Sequence, residues 1–138
     1  MEKISRNQEN FIIMTVIYDE LTDYTAGNSA FRDVNEIILQ ITDIPLNEHS
    51  AYVQNCIASV LSHYGEIVSA FKPHLRGWVW ERLPLLTRAV LLMSYAHFYY
   101  VEKIDKSIVI NVAVDLAKKY IEEKQAKFVN AILDEVLK

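Results

Sequence analysis

The last thirty residues, Ile108 to Leu137, constrain this chain more than any other stretch. Ile108, Val112, Leu116 and Tyr120 recur every four residues, with Val109, Ala113 and Ala117 beside them. Phe128, Ile132 and Val136 repeat the pattern next to Val129, Leu133 and Leu137. Apolar pairs at this spacing make a broad stripe on one face of a helix, too wide to be left in water. The spacing predicts two amphipathic helices joined by the polar link Ile121 to Gln125. Such a hairpin has to dock, so the rest of the chain must supply its core.

The upstream residues supply one by the same period. Ser5 is a candidate N-cap with Gln8 at the capping-box position, and Asn7 and Asn10 compete with it. Phe11, Met14, Ile17, Tyr18 and Leu21 then follow the helical repeat to a turn-prone Thr22 to Ser29. Phe31 to Ile41 reads as a second helix, broken by Pro45. Asn47 opens a third, with Gly65 as its kink or end, and Glu66 to Phe71 makes another short one before Pro73. Pro84 is placed to start a helix with the stripe Leu85, Ala89, Leu92, Met93 and Ala96, which the aromatic cluster Tyr95 to Tyr100 ends near Glu102; Asp105 or Ser107 caps the next. This reading gives an all-α single domain over 1–138, a bundle of about seven helices. Phe11 to Ile17 and Ser107 to Ile110 are where short apolar runs leave a strand open.

Composition narrows the function. Half of the residues are apolar and there are three glycines and three prolines, which suits a helical globule. The single cysteine, Cys56, forms no internal disulfide and fits a cytoplasmic protein; it lies on an apolar stripe and reads as core. No apolar run is long enough to span a membrane. Phosphate loops and dinucleotide fingerprints are missing, and the histidines lack metal-ligand spacing. The expectation is a non-enzyme with no cofactor and no metal. Net charge is −4, against strong autonomous nucleic-acid binding, but its distribution is uneven. Residues 1–66 hold three basic residues against ten acidic ones, whereas Ile67 to Arg88 holds Lys72, Arg76, Arg82 and Arg88 against Glu81 alone.

The C-terminal pair also carries a family likeness. Ile110-Asn111-Val112-Ala113-Val114-Asp115-Leu116-Ala117-Lys118, then Lys127-Phe128-Val129-Asn130-Ala131-Ile132-Leu133-Asp134, resembles the NusB family of transcription antitermination factors. That family reads I-N-E-A-V-E-L-A-K, a short spacer, then F-V-N-G-V-L-D. Upstream, Trp80-Glu81-Arg82-Leu83 and Thr87 to Leu92 look like its W-x-x-x-R-L and E-R-A-I-L-R, and Ser5-Arg6 and Ile17-Tyr18 like the ends of its first-helix pattern. The chain departs from the family at its first turn, where Arg6 is followed by Asn7, Gln8, Glu9 and Asn10 instead of further arginines.

The resemblance implies an all-α, NusB-like fold and a binding module. Such a protein pairs with the ribosomal protein NusE, holds boxA-type single-stranded RNA, and joins an RNA polymerase antitermination complex, notably on ribosomal RNA operons. Basic side chains along the backbone and aromatics under unpaired bases hold such a strand. The RNA-binding candidates are Lys3, Arg6, Lys72, His74, Arg76, Lys127 and Phe128; Phe128 begins an apolar stripe and reads more readily as core than as a stacking platform. The partner-binding candidates are Tyr18, Glu81, Arg82 and Arg88. Trp78 and Trp80, two apart, cannot both face inward, so one is a candidate surface anchor. Asn111 and Asn130 read as structural amides tying helix ends or loops together. The alternative keeps the fold and gives up the RNA: a protein–protein interaction module whose basic first turn is lost. A third reading, the N-terminal domain of a ribosomal RNA cytosine methyltransferase, needs a catalytic domain for which 138 residues leave no room. A homodimer is compatible with helical surfaces of this size.

Overall fold

A reciprocal cap opens the first helix in the computed structural model, which describes residues 4–28 and 30–138. The Ser5 hydroxyl accepts from the Gln8 N–H at 3.1 Å, and the Gln8 side chain accepts from the Ser5 N–H at 2.8 Å. Two otherwise orphaned donors are thereby satisfied, worth about 1 kcal/mol of helix stability for the cap. Helix α1 runs Arg6–Thr25 and buries Ile13, Val16, Ile17 and Leu21. It stops at Ala26, beyond which Gly27 takes a φ of +106°, open to glycine and strained for other residues.

The second helix starts later than its apolar spacing suggests. Helix α2 is Val34–Thr42, capped by Asp33, whose side chain accepts from the Asn35 N–H at 3.1 Å. Phe31 lies outside it, stacked on Tyr24 at 4.9 Å and edge-on to Tyr64 at 5.4 Å. An aromatic in the helical period here anchors a loop. Asn47 does not open a helix either: it sits in a 3-10 turn, Leu46–Glu48. Ser50 caps α3, Ala51–Ser62, by accepting from the Val53 N–H. The break before α4, Tyr64–Phe71, falls at His63, and Gly65 lies within the first turn of α4.

A 3-10 turn at Lys72–His74 follows, with Pro73 inside it, then a loop and a second 3-10 turn at Trp80–Arg82. Pro84 stands at the N-cap of α5, Leu85–Ala96, which passes into a π-helical turn at His97–Val101. Asp105 precedes α6, Lys106–Tyr120, and α7 is Glu123–Val136, so the link of the hairpin shrinks to Ile121 and Glu122. Both runs left open as strands are helical, and among the described residues there are seven α-helices and no strand.

Helix α5 is what the hairpin docks on. Thr87 to Ser94 are all buried, so this helix is covered on every side, as expected of a central one. Helices α1, α3, α4, α6 and α7 all pack against it. The Thr87 hydroxyl donates to Gln125 Oε1 at 2.9 Å, fastening the hairpin to that centre. Among the described residues no helix is long and apolar enough to cross a membrane.

Candidate nucleic-acid interface

The segment between α4 and α5 is shaped by its backbone. Arg76 has a φ of +51° and Gly77 one of +91°. Glycine takes this conformation freely; an arginine does so at a cost of about 1–2 kcal/mol. The turn brings His74 and Arg76 over the C-terminal part of α7, and it leaves Trp78 55% exposed. Trp80, two residues on, is buried beside Phe71, with ring centroids 5.7 Å apart. The surface anchor of the pair is therefore Trp78.

Trp78 faces Phe128 across 6.2 Å, and together with His74, Arg76, Ala131 and Glu135 they line a groove of about 300 Å³. Phe128 is half-buried, so it closes the apolar stripe of α7 and presents an edge to the groove. Of the RNA candidates, His74, Arg76 and Phe128 are thus brought together, and exposed Lys127 is the neighbour of Phe128 on α7. The basic side chains of this turn are not free. Glu135 takes both Arg76 and His74, the latter at 3.3 Å, and Lys72 lies 3.8 Å from Glu81.

Arg6 belongs elsewhere. Its guanidinium lies 3.7 Å over the Tyr52 ring, donates to Glu102 at 2.8 Å and sits 3.5 Å from Glu9. None of those partners lines the groove. The Arg6 hydrogen bond holds the Glu102 carboxyl below the usual range, and Glu102 also lies 3.4 Å from buried His97. Burial pushes the His97 pKa down and, nearby, the Cys56 thiol up to about 12, which leaves Cys56 an inert core residue. Lys3 lies outside the described residues.

Four lysines that no carboxylate neutralises cluster at the turn of the hairpin. Lys118 and Lys119 end α6, Lys124 and Lys127 begin α7, and none of the four has an ion-pair partner among the described residues. Beside them α1 and α6 enclose a second groove of about 410 Å³, lined by Asn7, Asn10, Asp115, Lys118, Lys119 and Tyr120. Phe11, 37% exposed, packs on Tyr120 at 4.9 Å. Sequence reasoning misses Lys118, Lys119 and Lys124. Their only signal is a lysine pair at a helix end, and a linear sequence does not say which lysines find acids.

The partner candidates divide. Glu81 and Arg82 are exposed on the 3-10 turn, and Tyr18 is half-buried on α1. Arg88 is buried at 6% exposure and donates to the carbonyls of Leu83 at 2.9 Å and Glu81 at 3.1 Å. Burial lowers its pKa, against the pull of Tyr64 and Glu81. Arg88 thus braces the turn that displays Glu81 and Arg82, and it is not itself a contact surface. Asn111 and Asn130 are exposed and make no side-chain hydrogen bond among the described residues, so the structural role expected of them does not hold.

A sequence profile described as "NusB family" matches residues 12–138. The chain belongs to the NusB family. The transcription antitermination protein NusB of a Nitratiruptor species is 30% identical over 134 residues, covering 97% of this chain and 92% of that protein. Among solved structures, a T. maritima NusB superposes with a TM-score of 0.81 at 21% identity, covering 99% of this chain and 92% of that one. A crystal structure of the antitermination factors NusB and NusE in complex with dsRNA gives 0.75 at 23%, covering 96% and 95%. These likenesses place the NusB fold on the whole described chain, with the seven helices in the order given above.

Proposed function

We propose that this NusB-family protein is a non-catalytic RNA and protein adaptor in transcription antitermination. It binds boxA-type single-stranded RNA together with a ribosomal protein of the NusE type, as part of an RNA polymerase complex. The observation that carries the RNA reading is the exposed Trp78, packed on half-buried Phe128 near a hairpin turn whose four lysines have no acidic partner among the described residues. An exposed aromatic gives an unpaired base a surface to stack on, and unneutralised lysines give its flanking phosphates counter-charges. With a net charge of −4 the intrinsic affinity is modest, and a second protein bound to the same RNA raises it through effective concentration. The relative from Nitratiruptor, matched over 97% of this chain, supports the antitermination role, and the NusB–NusE complex supports the type of partner. Glu81, Arg82 and Tyr18 are the residues proposed for the protein contact.

Titrating labelled boxA-type RNA into the protein with and without NusE tests this. NusE-dependent binding that weakens with salt is expected; no binding at moderate salt overturns it. A specific observation favours the second reading, a protein–protein module without RNA: Arg6, Lys72, His74 and Arg76 each face a carboxylate. That reading predicts NusE-type binding with no salt-dependent RNA affinity.

A further inference from the structure

Glu135 occupies the basic side chains of the Trp78–Phe128 groove. Among the described residues it is the single carboxylate that meets both the His74 imidazole and the Arg76 guanidinium, which line the Trp78–Phe128 groove. It reaches them from α7, 59 residues away from Arg76 in sequence, across a turn whose left-handed Arg76 backbone sets up the approach. The pairing is therefore built by the fold and is not a neighbour contact within a helix. The Glu135 side chain is 35% exposed and that of Arg76 77%, so the pair lies open to solvent and can separate without unfolding.

We propose that Glu135 is a specificity-determining residue, masking Arg76 and His74 from ligands that offer phosphate alone. The inference rests on the proposed RNA-binding role. A single strand can lay an unpaired base on Trp78 while the Glu135–Arg76 pair stays closed. A duplex keeps its bases stacked inside and offers no free base face to Trp78, so it must open the pair before Arg76 can take a phosphate. The duplex also carries the denser negative charge, so it feels the carboxylate's repulsion more strongly. One acidic side chain thus lowers affinity for bare polyanions and leaves stacking-led binding nearly untouched. The four unpaired lysines of the hairpin turn would otherwise attract any polyanion without discrimination.

Glu135→Gln, a conservative change at a partly exposed position, tests this with three probes: a short single-stranded RNA, the duplex of the same sequence, and heparin, which has no bases. The variant is expected to bind duplex and heparin about fivefold more tightly at low salt, the scale of an exposed ion pair, and the single strand less than about twofold. The salt dependence for duplex steepens by about 0.9 in log–log slope for one more neutralised phosphate. Arg76→Gln added to Glu135→Gln removes the gain. An equal change for all three probes, or unchanged heparin affinity, overturns the proposal. Wild-type protein that binds no single strand refutes the RNA role instead, and the heparin arm still decides what Glu135 does.

Discussion

The Arg6 guanidinium lies 3.7 Å above the Tyr52 ring, so the one described arginine of the first turn is held by the protein's own side chains. Tyr52 in turn donates its hydroxyl to buried Asn10 at 2.5 Å, and Glu102 closes the cluster from beyond the π-helical turn. Arg6→Ala is expected to destabilise the fold by about 1–2 kcal/mol, since it removes a cation–π contact and a charge-assisted bond together. Arg6→Lys recovers part of that. Urea unfolding of the two variants checks it, and an unchanged midpoint for Arg6→Ala rules the bracing role out.

The two tryptophans should separate stability from binding. Trp80→Ala removes a buried ring and is expected to cost about 3–5 kcal/mol. Trp78→Ala should change stability by less than about 0.5 kcal/mol and weaken single-stranded RNA about tenfold, the scale of one base–aromatic stack. Thermal melts and fluorescence titrations read the two effects. Equal losses of stability would contradict the assignment.

Glu20 supplies a pH dependence. It is fully buried; one oxygen accepts from the Arg32 N–H at 2.7 Å and the other, Oε2, has no partner. Burial raises its pKa above the ordinary 4.5, with the Arg32 hydrogen bond opposing. A raised folded-state pKa means that its contribution is fully present below 4.5 and is lost as pH rises through the folded value. Glu20→Gln keeps an acceptor for Arg32 and carries no charge. It is expected to gain about 1 kcal/mol over the wild type at pH 7 and to lose that advantage near pH 4. Denaturation at the two pH values measures the difference; a variant less stable at pH 7 would dismiss the explanation.

The hairpin lysines carry a countable electrostatic prediction. Replacing Lys124 and Lys127 by Gln should lower the log–log salt slope for single-stranded RNA by about 1.4, or about 0.7 for each phosphate no longer neutralised. Unfolding free energies should stay within about 0.5 kcal/mol, because both side chains are exposed and unpaired. An unaltered slope places the RNA elsewhere on the molecule.

What could be read in advance was what local chemistry decides. Ser5 and Gln8 form the reciprocal cap that their spacing suggests, and Val109, Ala113, Leu116 and Ala117 of α6 and Val129 to Val136 of α7 turn their stripes to the core, while Ile108, in the same period, is exposed at the start of α6. Phe31 misled because an aromatic anchoring a loop has the same period as one on a helix. Asn47 misled because Ser50, three residues on, is an equally good cap and lies beyond the 3-10 turn that Pro45 begins. Asn111 and Asn130 border apolar stripes, and a period alone cannot say on which side of the boundary they fall. The charges were the least legible part. Arg6 finds Glu102 across 96 residues and Arg76 finds Glu135 across 59, so which cations remain free is a property of the fold. For the same reason Lys118, Lys119 and Lys124 are hard to single out beside more conspicuous arginines.

The two-residue link between α6 and α7 bears on the thermodynamics of recognition. It leaves the lysines on either side no independent loop to ride on, because both pairs stand on helices already locked to α5. A strand arriving there meets charges at fixed separations and has no segment of this hairpin to fold. The ordering entropy of association then falls on the RNA, and calorimetry should show a heat-capacity change no larger than the contact area demands, without the excess that accompanies folding on binding.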